Sequence, residues 1–67
     1  EIQLSESCSV LGEELKDIIL PSSSLIAGVI RRGDVHIPTG EWQFAAKDKL
    51  VVFSLPKSIS EIEKIFC

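Results

Sequence analysis

The arginine pair Arg31-Arg32 is the most chemically specific feature of this chain. Guanidinium groups can hold a phosphate with two hydrogen bonds each, so the pair raises the hypothesis of an anion site. In an alternating strand the two side chains point to opposite faces, and at most one of them lines a given cleft. The ordinary alternative is a solvated turn with a surface ion pair to Asp34. Both interpretations stay open at this point, with Arg31 as the residue that would contact a ligand.

The remaining polar candidates do not form a catalytic pattern. His36 is the single histidine and has no second ligand at a metal-binding spacing, so it is either an exposed strand residue or part of a polar cleft or interface. The run Ser22–Ser24 has no histidine base nearby, and we expect Asp48 to accept backbone N–H bonds in a turn. With no base and nucleophile pair, metal cluster or glycine-rich phosphate loop, we expect neither an enzyme nor a metal site.

Two cysteines, Cys8 and Cys67, stand near opposite ends of the chain and do not form a metal-binding spacing. A disulfide that closes so large a loop would stabilise a domain by about 4 kcal/mol. In a cytosolic protein, however, unpaired thiols are the ordinary state. We therefore expect two free thiols, and the disulfide is the alternative.

The composition describes one small, acidic and apolar domain. The chain has 67 residues, a net charge of −3 and 45% hydrophobic residues. An acidic balance argues against a nucleic-acid or anionic-membrane binder, and no apolar stretch is long enough to cross a membrane. So many apolar residues exceed what a small core can hide, which favours a homodimer. Because the sequence starts without methionine, we expect it to be a piece of a longer protein.

These candidates must be positioned by a hairpin over Ser24–Pro38, which organises the rest of the chain. The run from Leu25 to Arg31 predicts a buried strand, and Val35 to Ile37 predicts the strand that returns beside it. Between them lies a tight turn for which Gly33 supplies the positive φ angle.

The flanking segments predict a short strand at 1–4, a strand at 50–55 and an optional strand at 42–44. Apolar spacing predicts an amphipathic helix from Ser9 to Ile18 and a final helix whose capping box is Ser58 and Glu61. Gly12 inside the first helix indicates that another backbone comes close. We expect Trp42 and Phe44 to pack either in the core or in a dimer interface. The predicted fold class is α+β, a small mixed or antiparallel sheet with two helices in the order β-α-β-β-(β)-β-α.

In this order, the segments resemble the TrkA-C domain, the C-terminal regulatory domain of RCK-type potassium transport proteins. The resemblance covers nearly the whole chain and rests on these pieces: Ser9-Val10-Leu11-Gly12, Leu20-Pro21, Ala27 to Arg31 with Gly33-Asp34, Val35 to Pro38, Asp48 to Phe53, and Ile62 to Phe66. The family usually has glycine before the aspartate of the late turn, where this chain has Lys47. That position could require a left-handed backbone, in which a lysine would be strained.

The resemblance implies a single regulatory domain over residues 1–67, cytoplasmic and homodimeric, at the inner face of the membrane. It implies a nucleotide-binding Rossmann-like domain elsewhere in the protein, where an NAD or ATP-type nucleotide would bind, and no cofactor in this fragment. Such proteins assemble on a membrane potassium channel or transporter and bias its gate. Some relatives bind a ligand such as cyclic di-AMP between two subunits, and in others no ligand is known. If this chain binds one, we expect Val29, Arg31 and Pro38 to line the cleft. The alternatives are a purely structural dimerisation module and the same domain attached to another cation transporter or antiporter.

Overall fold

Four antiparallel strands form one sheet in the computed structural model, which describes all residues 1–67. The strands are β1 (Ile2–Gln3), β2 (Ser24–Arg31), β3 (Asp34–His36) and β4 (Lys49–Ser54), and their order across the sheet is β1-β4-β2-β3. The one α-helix, α1 (Ile59–Ile65), follows a 3-10 turn, and a second 3-10 turn lies earlier in the chain. The predicted α+β class with a small antiparallel sheet is confirmed.

The predicted hairpin is present as β2 and β3. Its two-residue turn places Arg32 at φ 53° and Gly33 at φ 82°. Positive φ at both central residues defines a type I′ turn, whose twist matches that of the flanking strands. The register pairs Ile30 with Val35 and Arg31 with Asp34. The hairpin therefore brings the end of β2 directly beside the start of β3.

The predicted first helix is wrong: between Ser9 and Ile18 only a 3-10 turn at Leu15–Asp17 forms. Gly12 adopts φ 84°, outside the helical range, and its N–H donates to the carbonyl of Phe44 at 2.8 Å. The predicted close backbone is therefore present, as segment 43–44. No atom lies within 4 Å of a Cβ built on Gly12, however, so the positive φ is the reason for glycine at this position.

The segment 12–16 instead pairs with 40–44 in an irregular antiparallel arrangement. The Leu15 N–H donates to the Trp42 carbonyl at 2.9 Å, and the Lys16 N–H donates to the Gly40 carbonyl at 2.8 Å. The optional strand at 42–44 is reduced to one bridge, between Glu14 and Gln43. These bonds satisfy backbone groups that a helix would have paired internally, which is why the apolar spacing alone was misleading.

The hydrophobic core lies between one face of the sheet, α1 and the irregular segments. Phe44 and Phe66 meet edge to face with ring centroids 5.6 Å apart, and Val29 and Leu50 are completely buried beneath them in the sheet. The predicted final helix is confirmed, but Ser58 makes no side-chain cap bond because it belongs to the preceding 3-10 turn, Pro56–Ser58.

The two cysteines are joined, which corrects the expectation of free thiols. Cys8 and Cys67 have Cα atoms 5.6 Å apart, within the range that a disulfide spans, and form a disulfide in this structure. The loop after β1 and the end of α1 cover the same side of the sheet, so the two ends of the chain converge there. Because the two ends meet only through tertiary packing, the spacing of the cysteines in the sequence does not predict the disulfide.

Candidate functional site

A cluster of four side chains around Arg31, here called the Arg31 cluster, is the main polar feature on the inner, core-facing side of the sheet. It consists of Arg31, His36, Trp42 and Asp48. Arg31 Nε donates to Asp48 Oδ1 at 2.8 Å, and Arg31 Nη2 donates to Asp48 Oδ2 at 2.6 Å. Because both oxygens are engaged, this is the bidentate arrangement that guanidinium and carboxylate groups favour.

Asp48 is buried within this cluster, with 1% of its surface exposed. Its Oδ2 also accepts the N–H of Ala45 at 3.0 Å, which confirms the prediction that Asp48 holds its own turn. Arg31 Nη2 reaches further, to the carbonyl of Gln43 at 2.9 Å. Arg31 therefore ties β2 both to the turn before β4 and to the irregular segment at 40–44.

The Trp42 ring covers the guanidinium, and His36 lies against that ring. The Arg31 Cζ atom lies 4.3 Å from the centroid of the Trp42 ring, a cation–π distance, and the His36 ring centroid lies 5.1 Å from that of Trp42. Trp42 Nε1 is buried and outside hydrogen-bonding geometry from any acceptor. Trp42 thus acts as a packing group between the core and the cation, in agreement with its predicted structural role.

The electrostatics of the pair favour its charged form. Burial alone would raise the pKa of Asp48. Hydrogen bonds from Arg31 and from the Ala45 N–H, together with the Arg31 charge, outweigh burial and hold that pKa below its ordinary value. The hydrogen bond to Asp48 raises the pKa of Arg31, partly offset by burial. Both groups are therefore ionised at neutral pH.

The three predicted cleft positions are not brought together as one exposed site. Val29 has no exposed surface and is paired with Leu50 in the core, so its side chain is not available to a ligand in this structure. Arg31 is occupied by Asp48, and not by Asp34 as the surface-turn alternative had it. Pro38 is partly exposed just after β3.

The Arg31–Asp48 pair was missed from the sequence because its members stand 17 residues apart. One signal could have revealed it. Alternation places Arg31 on the same side of β2 as the buried Val29, and a charge on the core side of a strand needs a partner. A search for that partner among the carboxylates of neighbouring turns leads to Asp48.

The opposite side of the sheet, here called the outer face, is apolar and uncovered. The strand register shows which side chains belong to it. Val29 and Leu50 pair across β2 and β4 and point into the core, so the neighbouring cross-strand pairs point to the opposite side. Large hydrophobic side chains on it are exposed, among them Phe53 at 63%. The outer face consists of Leu25, Gly28, Ile30, Val35, Val51 and Phe53, together with the exposed and charged Lys49, which pairs with Ile30. An open sheet face is usually polar, so this surface is unusual for a domain that stands alone.

No helix in the structure has the length and apolar character needed to cross a bilayer. No group of three or more histidine, cysteine, aspartate or glutamate side chains is arranged to hold a metal ion.

Comparison with known proteins gives a match along almost the entire chain. The sequence model of one family, described as the TrkA-C domain, matches residues 1–66. The "Trk system potassium uptake protein TrkA homolog" of Pyrococcus horikoshii is 32% identical over 97% of this chain, and the "K(+)/H(+) antiporter NhaP2" of Shewanella baltica is 34% identical over 96% of it. The chain spans only 29% and 11% of these two relatives, respectively.

A solved structure described as "Structure of RCK domain with cda" has the same fold. It superposes with a TM-score of 0.81 over 98% of this chain and 96% of the other, at 15% sequence identity. At that identity the likeness supports the arrangement of the sheet and the helix, and no side-chain role is taken from it.

Proposed function

The chain belongs to the TrkA-C domain family, which confirms the resemblance found in its sequence, and we propose that it is a dimeric regulatory module of a potassium uptake protein. The relatives named as Trk potassium uptake proteins support this proposal. In it, the longer protein is cytoplasmic, carries a nucleotide-binding Rossmann-like domain, and biases the gate of a membrane potassium transporter.

The observation that carries the proposal is the uncovered outer face. Leu25 and Phe53 form a cross-strand pair there, and both are more than half exposed. Ile30 and Val35 continue the apolar surface toward the hairpin turn. A second copy of the chain presents the same apolar surface, and a two-fold contact would remove both from water. In this proposal, the dimer formed through the outer face is the functional state of the regulatory module.

A ligand site between the two copies is part of the proposal. Pro38 lies two residues after β3 and is partly exposed, and in this proposal a partner copy would form a cleft beside it. The ligand class that we propose is a cyclic dinucleotide, whose rings could lie against apolar side chains. Arg31 could bind the ligand only if its ion pair with Asp48 were replaced by one with a phosphate. Val29 could contact the ligand only if the core opened, because it is fully buried.

Sedimentation of the 67-residue chain tests the dimer, with Phe53→Glu as the disruptive variant. We expect a dimer for the unchanged chain and a monomer for Phe53→Glu, because a carboxylate would be buried unpaired in the contact. Ile19→Glu is the matched control, since Ile19 is 90% exposed and lies outside the sheet. A monomeric unchanged chain at high concentration would overturn the proposal.

Calorimetric titration with cyclic di-AMP tests the ligand separately. We expect binding by the dimer, weakened by Pro38→Ala and lost in Phe53→Glu. A dimer that releases no heat and gains no thermal stability with cyclic di-AMP would favour the second candidate, a structural assembly module without a ligand. The antiporter among the relatives supports a further alternative, in which the same domain serves a different cation transporter.

A further inference from the structure

A second polar region lies at the end of the sheet where the hairpin turn meets the turn before β4. An open cleft of about 410 Å³ is present there. That volume is in the range of small-ligand sites. The cleft is lined by Arg31, Arg32, Ala45, Ala46, Lys47 and Asp48. It contains none of the outer-face residues and neither Val29 nor Pro38.

The charges in this cleft are not balanced. Arg31 and Asp48 neutralise each other in their bidentate pair. Arg32 and Lys47 form no ion pair with any carboxylate of the chain, including Asp34 next to the hairpin turn. Two cations without a carboxylate partner therefore line one cleft in a protein whose net charge is −3. Ala46 belongs to the same lining, and its N–H makes no hydrogen bond within the chain.

Both free cations occupy strained backbone positions. Arg32 has φ 53° and Lys47 has φ 73°, in the left-handed region that glycine adopts at lower cost. The Asp48 N–H donates to the Ala45 carbonyl, so Lys47 is the third residue of a β-turn that needs a positive φ there. Strain of this kind persists where the surroundings impose it and is concentrated at functional sites.

We propose that this cleft binds a phosphate-bearing ligand held by Arg32 and Lys47. A phosphate offers several oxygens on one centre, so the guanidinium, the ammonium and the free Ala46 N–H can donate to it together. The Arg31–Asp48 pair forms the floor and keeps the two turns at a fixed separation. The site is independent of the dimer contact on the outer face, and it would be present in each copy of the chain.

Thermal unfolding and calorimetry with inorganic pyrophosphate test the site, against sodium chloride at equal ionic strength. We expect pyrophosphate to raise the Tm of the unchanged chain, and Arg32→Gln and Lys47→Gln each to weaken pyrophosphate binding at least about tenfold, since each removes a charged donor. Lys57→Gln is the matched control, because Lys57 is an exposed lysine on the 3-10 turn away from the cleft. It should bind pyrophosphate like the unchanged chain.

The variant Lys47→Gly separates the role of Lys47 in phosphate binding from its effect on folding stability. It should raise the Tm in chloride by a few degrees, about 2 to 5 °C, because the backbone strain is relieved, and it should lose the pyrophosphate effect. Flotation with phosphatidylglycerol vesicles distinguishes the two sources of the phosphate. If the chain binds the vesicles and this binding requires Lys47, the phosphate belongs to a lipid headgroup. If the chain binds pyrophosphate but not the vesicles, the phosphate belongs to a soluble ligand. Equal pyrophosphate binding by Lys47→Gly, Arg32→Gln and the unchanged chain would overturn the proposal, whatever the oligomeric state.

Discussion

The two faces of the sheet are built from alternate residues of the same strands but differ completely in their surroundings. On the inner face Val29 and Leu50 have no exposed surface, and even the charged Arg31 makes three hydrogen bonds, to Asp48 and to the Gln43 carbonyl. On the outer face, Val35 and Phe53 are mostly exposed and nothing covers them. The inner face therefore accounts for the stability of one copy of the chain, and the outer face is available for contact with another molecule.

The two phenylalanines Phe44 and Phe53 provide the strongest test of this comparison. Phe44 is 2% exposed and packs against Phe66, so Phe44→Ala should lower the free energy of unfolding by about 3 to 5 kcal/mol. Phe53→Ala should change the stability of the monomer by less than about 1 kcal/mol. Urea unfolding at low protein concentration measures both.

Phe44→Leu protects this test against a variant that does not fold. It retains most of the apolar volume and should cost about 1.5 kcal/mol. If Phe53→Ala proved as destabilising as Phe44→Ala in the monomer, the outer face would contribute to the fold of one chain and the contrast would fail.

The disulfide gives the next largest expected effect and belongs to the inner side. Cys67→Ser should lower the free energy of unfolding by about 4 kcal/mol, because the cross-link joins residues 59 apart and restricts the unfolded chain. Cys67 is the better position to change, since it is exposed whereas Cys8 is buried. A reducing agent should produce the same loss in the unchanged chain. Alkylation of two thiols in the native, unreduced protein would show that the cross-link is absent in solution.

Substitutions in the Arg31 cluster test the contrast between buried and exposed residues with polar side chains. Arg31→Ala should cost about 3 kcal/mol, because it leaves the Asp48 carboxylate buried without its partner. That value is the lower end of the range for buried pairs, since 34% of the Arg31 side chain is exposed to solvent. Arg32→Ala, one residue further and without an ion pair, should stay within about 0.5 kcal/mol. Equal losses in the two variants would contradict the structural role given to Arg31.

Acid should weaken the inner face through Asp48. The folded-state pKa of Asp48 lies below its ordinary value, since the Arg31 and Ala45 hydrogen bonds outweigh the opposing effect of burial. Its contribution to stability is therefore complete above the unfolded-state pKa, near 3.9, and is lost as the pH falls through the lower folded-state value. Urea midpoints from about pH 6 to about pH 2 should show this loss, and Asp48→Asn should show a shallower acid dependence. An identical acid dependence in both proteins would assign the loss to other carboxylates.

The sequence was sufficient to predict the elements whose local signals agree with their packing. The hairpin followed from an apolar run, a glycine able to take positive φ and a second alternating run, and the late strand and final helix followed in the same way. Lys47 was identified as a possible left-handed residue, and the structure places it at φ 73°.

The failures have one cause, which is that long-range contacts overrode a local pattern. In segment 9–18 the helical spacing of Leu11, Leu15 and Ile18 correctly marked partly buried residues, but backbone bonds to segment 40–44 replaced the helix. The Arg31–Asp48 pair and the disulfide likewise join residues that are distant in the chain. Local periodicity indicates which side chains are buried; it does not indicate which distant groups they will meet.

Gly28 gives the smallest predicted effect and the finest test of the outer face. A Cβ added there would lie 3.5 Å from the His36 carbonyl oxygen and 4.0 Å from Val35 Cγ1, which are ordinary contacts. Gly28→Ala should therefore stabilise the monomer by about 0.5 kcal/mol, because glycine in a strand loses more entropy on folding than alanine does. The added methyl group would nevertheless stand in the middle of the proposed dimer contact, where overpacking should weaken association about tenfold. Urea unfolding and sedimentation, performed on one preparation, would then move in opposite directions. If association were unchanged while stability rose, a partner copy would not approach the sheet closely at Gly28, and the dimer contact would have to be centred nearer Leu25 and Phe53.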